Sequence, residues 1–286
     1  MTYYAKIKHR LKKRIFKNKR VIKKLQPRAD KEIQKVIDSI VSLNLQTNYE
    51  KIFALAVENE TLGASGRVAL YDHEIVRKTQ KKRTYLERTV KKGAMRILPA
   101  LEGRGVCKHW VDYGVEILGG LGLSASHEYC KDYYGVDFHM VIKVENMLLP
   151  NFHKPIDLYI ESQGSDELPL QLFVKRSHSN ELLGIGTGIT YYTYDAANSS
   201  VNYFRGVSAE EIKFLNATYP LQKQLEDYIK VLNKVVQNHG ASYVGDIEKH
   251  IEERTQRVVK TLEAIRQRDK SKNSENSIGK QSTIRK

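Results

Sequence analysis

The sequence predicts an α+β fold in which a central mixed or antiparallel sheet of about five strands is flanked by N-terminal and C-terminal helices. Apolar residues recur every three or four positions over 30–44, 221–235 and 247–265, as in helices with one buried face. They alternate over 135–146 and 156–160, as in strands with one buried face. With 286 residues, 41% of them apolar, the chain can bury a substantial core.

The remaining helices are expected on both sides of the sheet. The sequence predicts a basic amphipathic helix over 5–25, which Pro27 ends, and further helices over 50–58, 66–96 and 106–118. On the C-terminal side, Ser208 and Glu211 have the spacing of a capping box, and Gly240 is expected to end the helix over 221–235. These signals favour five parts: a basic helical arm (1–29), a helical region with a basic patch (30–105), an α/β core (106–240), a C-terminal helix (241–268) and a disordered basic tail (269–286).

Three further strands complete the expected sheet, over 170–174, 187–194 and 201–205. A turn at 163–166 joins the strand over 156–160 to the one over 170–174.

If residue numbers across that hairpin sum to 332, Asp157 lies opposite Lys175 and Glu161 lies opposite Gln171. A carboxylate beside a lysine, with a second carboxylate in reach, can hold Mg²⁺ and orient water toward a phosphodiester.

Positive charge is concentrated in two segments of a chain whose formal net charge is +15. Residues 1–26 contain eleven Lys and Arg and no acid, and residues 77–96 contain nine with one acid. Dense cationic segments bind phosphate backbones by releasing condensed counterions, so we expect a nucleic-acid partner, DNA or RNA. The candidate contacts are Lys12, Lys13, Arg14, Lys19, Arg20, Lys78, Lys81, Lys82 and Arg83.

The segment 106–178 resembles the PD-(D/E)XK nuclease superfamily. The likeness rests on the helical segment that contains Glu116, on Gly135-Val136-Asp137, on Pro155-Ile156-Asp157 and on Leu172-Phe173-Val174-Lys175. It implies a nuclease with a divalent metal, in which Asp137, Asp157 and Glu161 are the metal-ligand candidates, Lys175 is the catalytic lysine and Glu116 supports the metal. Phe173 departs from the pattern, because the superfamily has an acid two residues before the lysine.

Other interpretations stay open at this point. One is a non-catalytic nucleic-acid-binding protein for packaging or replication, and another is an assembly protein that oligomerises through 247–265. Cysteine and histidine at 107/109 and 127/130 leave zinc binding open. The sequence has no apolar run of transmembrane length, no lipidation signal and no secretory signal, so we expect a cytoplasmic protein that does not enter a membrane.

Overall fold

The computed structural model describes residues 26–64, 70–71, 104–105, 107–131, 138–161, 168–176, 181–187, 190–193, 208–240, 243 and 245–282. Its helices are α1 (residues 26–42), α2 (Asn48–Ala64), α3 (Cys107–Gly120), α4 (Ala209–Thr218), α5 (Leu221–His239) and α6 (Ile247–Ser282). Its strands are β1 (Leu70–Tyr71), β2 (Arg104–Gly105), β3 (Ala125–Lys131), β4 (Phe138–Met147), β5 (Ile156–Glu161), β6 (Gln171–Lys175), β7 (Glu181–Gly184) and β8 (Thr190–Thr193). The α+β class and the flanking helices are confirmed.

The central sheet closes into a barrel of six antiparallel strands, β3 to β8, with β3 paired to β8. Alternation along each strand divides the apolar residues between two sides. Outward-facing residues such as Ile142, Leu158 and Leu172 join one large core with the helices. Inward-facing residues form a second, smaller cluster that fills the lumen: Cys130, Val141, Tyr159, Phe173, Leu182 and Tyr191.

The register of the β5–β6 hairpin is as the sequence predicts. Leu158 pairs with Val174 and Glu161 with Gln171, so the residue numbers of partners sum to 332. Of the other expected strands, β8 falls within 187–194, and 201–205 lies outside the described residues. The capping box of Ser208 and Glu211 is formed, and Gly240 follows the end of α5 with a positive φ of 87°.

Several details of the predicted elements differ from the structure. Leu70–Tyr71, expected within a helix, form the short parallel pair β1–β2 with Arg104–Gly105. This pairing joins residues far apart in the chain, which local propensity does not reveal. Pro27, expected to end a helix, lies within the helical residues 26–42, and the helix expected over 5–25 lies outside the described residues. Residues 269–282, expected to be disordered, continue the backbone of α6, since extending an existing helix costs less than nucleating one.

Helix α3 packs closely against the outside of the barrel at β4. Trp110, Ile117 and Leu118 are at most 1% exposed. Gly114 makes the close approach possible, because a Cβ there would lie 2.4 Å from Cδ1 of Ile142 on β4. This contact brings the middle of α3 close to β4.

The apolar stripe of α6 packs within the chain. Val258 is fully buried in the main core, and Ile247, Ile251 and Leu262 pack against the same core. Oligomerisation through 247–265 stays a prediction, and packing against the chain's own core already accounts for this stripe. No helix in the described part of the chain has the length and hydropathy needed to cross a bilayer.

Candidate active site

Cys107 is the first residue of α3 and is 8% exposed. The first turn of a helix has backbone N–H groups without intrahelical acceptors, and the aligned peptide dipoles place partial positive charge there. Reactive cysteines are found at helix N-termini, and Cys107 stands at such a position.

His139 is the second residue of β4 and lies on the inward face of the strand, directly opposite Cys130 of β3. Its side chain is 17% exposed. Because α3 packs on β4, the imidazole lies within hydrogen-bonding reach of the Cys107 thiol. The histidine therefore lies between the start of a helix and the end of the barrel.

Glu161 is the last residue of β5, on the strand next to β4. One of its carboxylate oxygens is hydrogen-bonded to Nε2 of His139. The Glu161 side chain is only 5% exposed, so this contact is largely shielded from water. Since Nε2 faces Glu161, Nδ1 is the ring nitrogen left for Cys107.

These surroundings change the proton affinity of His139. Burial alone lowers the pKa of the imidazole, but hydrogen bonds with Cys107 and Glu161 and the attraction of both groups raise that pKa to about 10. His139 therefore holds its second proton through neutral pH. Thiol, imidazolium and carboxylate are the groups found in nucleophile–base–orienter arrangements.

No protein-family model matches this chain, and neither a curated protein nor a solved structure matches it. The resemblance to the PD-(D/E)XK superfamily stays a prediction.

Two of the sequence-predicted site residues lie together in a different cleft. Asp157 and Lys175 both line a cleft of about 480 Å³ between the barrel and α4, and they are the chain neighbours of the paired residues Leu158 and Val174. The salt-bridge partner of Asp157 is Lys143 of β4, at 2.9 Å. The hydrogen bond to Asp157 raises the pKa of Lys143, so this lysine stays charged and compensates the carboxylate.

The two predicted metal ligands that the structure describes, Asp157 and Glu161, lie far apart. Asp157 and Glu161 are four residues apart on one strand, which separates their Cα atoms by about 13 Å. Glu161 bonds His139, and Glu116 is exposed on α3. Across the described ranges, no three His, Cys, Asp or Glu side chains are grouped to hold a metal ion.

The zinc alternative is also not assembled by the described residues. His127 of β3 bonds Asp112 of α3 at 2.5 Å, while Cys107 faces His139.

The other predicted site residues lie outside the described residues: Asp137, Lys12, Lys13, Arg14, Lys19, Arg20, Lys78, Lys81, Lys82 and Arg83.

The sequence alone does not identify Cys107 and His139 as partners, and it predicts Glu161 as a metal ligand. Two signals in the sequence point to them. Cys107 stands at the start of a predicted helix, and His139 and Glu161 occupy polar positions of two successive predicted strands. A cysteine at a helix start with a histidine elsewhere in the chain is a candidate nucleophile and base.

Proposed function

We propose that this chain is a cysteine-dependent acyl-transfer enzyme acting on an amide or ester carbonyl. Two observations carry the proposal: the hydrogen bond between Nε2 of His139 and Glu161, and the position of Cys107, which is close enough to the same imidazole to raise its pKa. Cys107 is the nucleophile, His139 the general acid and base, and Glu161 the residue that orients the imidazole.

The first step forms a thioester. The Cys107 thiolate attacks the carbonyl carbon, and the carbonyl π electrons move onto oxygen to give a tetrahedral oxyanion. When this intermediate collapses, the bond to the leaving amine or alcohol breaks, and the leaving group takes the proton from His139. The products are the free amine or alcohol and an acyl group on Sγ of Cys107.

The second step releases the acyl group. Neutral His139 removes a proton from water, or from an acceptor amine, as that molecule attacks the thioester. Collapse of the second tetrahedral intermediate expels the Cys107 thiolate and restores the protonated imidazole. Glu161 accepts a hydrogen bond from Nε2–H of His139 throughout. This leaves Nδ1 as the nitrogen that exchanges protons with the reacting atoms.

The position of Cys107 also supports stabilisation of the oxyanion. The negative charge develops next to the sulfur, at the positive end of α3. Backbone N–H groups in the first turn of a helix have no acceptor within the helix, and donors of this kind stabilise oxyanions.

The test is site-resolved labelling with limiting iodoacetamide, followed by incubation with p-nitrophenyl acetate as an activated ester. We expect iodoacetamide to modify Cys107 first, and mass spectrometry to locate an acetyl group on Cys107 after the ester reaction. Cys107→Ala removes both modifications. His139→Gln lowers both rates by at least about 100-fold, because general acid–base assistance of this kind contributes about 10²–10⁴.

Cys130→Ala is the matched control, because it removes the other thiol, which is fully buried. This variant should retain acetylation of Cys107. Preferential alkylation of Cys130, or ester turnover that persists in Cys107→Ala, would contradict the proposal.

Nucleic-acid contact is a second candidate function, favoured by the eleven basic residues within 1–26. We propose that this segment grips a phosphate backbone, and the test is the salt dependence of binding to a DNA and an RNA oligonucleotide. Replacing Lys12, Lys13 and Lys19 with Gln should weaken binding. It should also lower the number of counterions released, read from the slope of log K against log[salt], by about two to three. The control neutralises three exposed lysines, Lys31, Lys249 and Lys260. Equal losses in both triple variants would contradict a specific role of the arm.

A metal-dependent phosphodiesterase would be a more specific version of this second function, in which the bound nucleic acid is also cleaved. Its test is cleavage of the same oligonucleotides with and without Mg²⁺. Cleavage that requires Mg²⁺ and is lost in Asp157→Ala and Lys175→Ala would support it, and the absence of cleavage would reject it.

A further inference from the structure

An aromatic ring covers the imidazole of the candidate active site from inside the barrel. The ring of Tyr191 on β8 lies nearly parallel to that of His139, with centroids 5.5 Å apart and an interplanar angle of 17°. Tyr191 is 9% exposed and belongs to the cluster that fills the lumen. The buried Tyr191 ring therefore packs against one face of the His139 imidazole.

We propose that Tyr191 is a positioning residue, whose ring face holds the His139 imidazolium in the plane where Nε2 meets Glu161 and Nδ1 faces Cys107. The attraction has a simple origin, since the face of an aromatic ring carries negative potential and a cation within about 6 Å of its centroid is stabilised. The proposal deepens the proposed function and rests on it for the role of His139.

The ring of Tyr191 is itself held by its neighbours. Phe173 of β6 meets it edge-on at 4.9 Å and 70°, and Phe173 is fully buried. The backbone of Tyr191 is paired with Leu182 of β7, and its strand also pairs with β3, where the barrel closes. Movement of the Tyr191 ring would require repacking of the lumen.

The residues that follow β7, on the strand paired with Tyr191, pack against helix α5. Gly186 has a φ of 84°, and a Cβ on it would lie 2.9 Å from the backbone nitrogen of Leu221. The side chain of Gln224 donates to the carbonyl oxygen of Ile185 at 2.8 Å. Helix α5 thus holds the residues that directly follow β7.

The titratable groups around His139 come from several elements. In the part of the chain that the structure describes, these are Cys107 on α3, Glu161 on β5, Cys130 on β3 and Tyr191 itself. Glu161 and Cys107 raise the pKa of the imidazole through hydrogen bonding and charge. Tyr191 acts on the face of the ring, so its contribution can be removed separately.

The test is an NMR titration of the His139 ring nitrogens in the full-length protein, with the signals assigned by their loss in His139→Gln. Tyr191→Leu should lower the pKa of His139 by about one unit, which is the size of a shielded cation–ring contact. Tyr191→Phe keeps the ring and should restore the wild-type titration. Because this measurement needs no substrate, it can succeed even if acyl transfer is absent.

Phe173→Leu is the matched control, because it loosens the same lumen without removing the ring that covers His139. Its His139 pKa should shift by clearly less than in Tyr191→Leu, because the ring that covers His139 is still present. An equal shift in Phe173→Leu and Tyr191→Leu, an unshifted titration in Tyr191→Leu, or a Tyr191→Phe variant that behaves like Tyr191→Leu would each overturn the proposal. Should Tyr191→Leu fail to fold, ring-to-ring nuclear Overhauser contacts between Tyr191 and His139 in the unmodified protein decide it, and their absence overturns it.

Discussion

Nε2 of His139 and the carboxylate of Glu161 are hydrogen-bonded across β4 and β5, at the end of the barrel where Cys107 begins α3. Both side chains are largely buried, so neither is easily compensated by water. The pair therefore links the packing of the barrel to the protonation of its histidine, and this link can be measured without knowing a substrate.

The first prediction concerns the pH dependence of stability. His139 has a pKa raised to about 10, above the value near 6.5 that a histidine has in an unfolded chain. The folded protein holds this proton more tightly, so the stabilisation is complete below about pH 6.5 and is lost as the pH rises toward about 10. We therefore compare the free energy of unfolding of the wild type with that of His139→Gln. The difference should shrink over this pH interval by an amount on the order of a few kcal/mol.

Urea unfolding at a series of pH values measures this difference. Subtracting the His139→Gln curve removes the contributions of the other titrating groups, which both proteins share. A difference that is constant or grows between about pH 6.5 and 10 would show that His139 is not protonated in the folded state.

A second prediction concerns the attachment of α6. Glu60 of α2 accepts from Arg254 of α6, lies 2.7 Å from Nε2 of His250 and bonds the hydroxyl of Tyr228. Its side chain is 14% exposed, so removing a cationic partner leaves a mostly buried carboxylate undercompensated. Arg254→Ala should lower the free energy of unfolding by about 2–4 kcal/mol.

The matched control for this variant is Arg257→Ala, one turn further along α6. Arg257 pairs with Glu253 at 4.0 Å, and both side chains are almost half exposed. Exposed pairs of this kind contribute less than about 1 kcal/mol, so thermal and urea unfolding should change little. Equal effects of the two substitutions would contradict the assignment of Glu60 as a buried anchor.

The fold could be predicted from this sequence where periodicity is strong. The β5–β6 register followed from the alternation over 156–160 and 170–174, and the buried stripe of α5 followed from apolar spacing. Strand β3 was missed because its seven residues, Ala125–Lys131, include Ser, His, Glu and Lys, and thus lack a clean apolar face. Closure of the barrel depends on pairing β3 with β8, a contact over some sixty residues that no local pattern contains.

The candidate site was predictable only in part, for a physical reason. The sequence placed His139 and Glu161 on the polar face of neighbouring strands, which is the face they occupy. It gave no indication that α3 packs on β4 at Gly114, and that packing is what brings Cys107 to His139. A polar face can be inferred from alternation, whereas the partner of each polar group depends on tertiary packing.

A third prediction separates two adjacent acids in the first turn of α4. Glu211 completes the capping box with Ser208 and also accepts two hydrogen bonds from Arg176, at 2.9 and 2.7 Å. Glu210 beside it is exposed. Glu211→Ala should destabilise the protein by about 1–3 kcal/mol, because it removes a cap and one acceptor of a charged guanidinium.

Glu210→Ala removes the same charge from the same helical turn and should change stability by less than about 0.5 kcal/mol. Chemical unfolding of both variants measures the difference. If the two substitutions cost the same, the link between Arg176 and α4 makes no net contribution.

The last prediction tests whether the apolar stripe of α6 serves the chain's own core. Val258 is fully buried, whereas Val259, the next residue on the same helix, is 44% exposed. Val258→Asp would bury a charge without a partner and should destabilise the protein by more than about 3 kcal/mol, while Val259→Asp should have little effect. Urea unfolding gives both values, and light scattering at several concentrations reports the mass. If α6 instead formed an interchain seam, Val258→Asp would halve the mass and leave a folded monomer, an outcome that packing against the chain's own core does not allow.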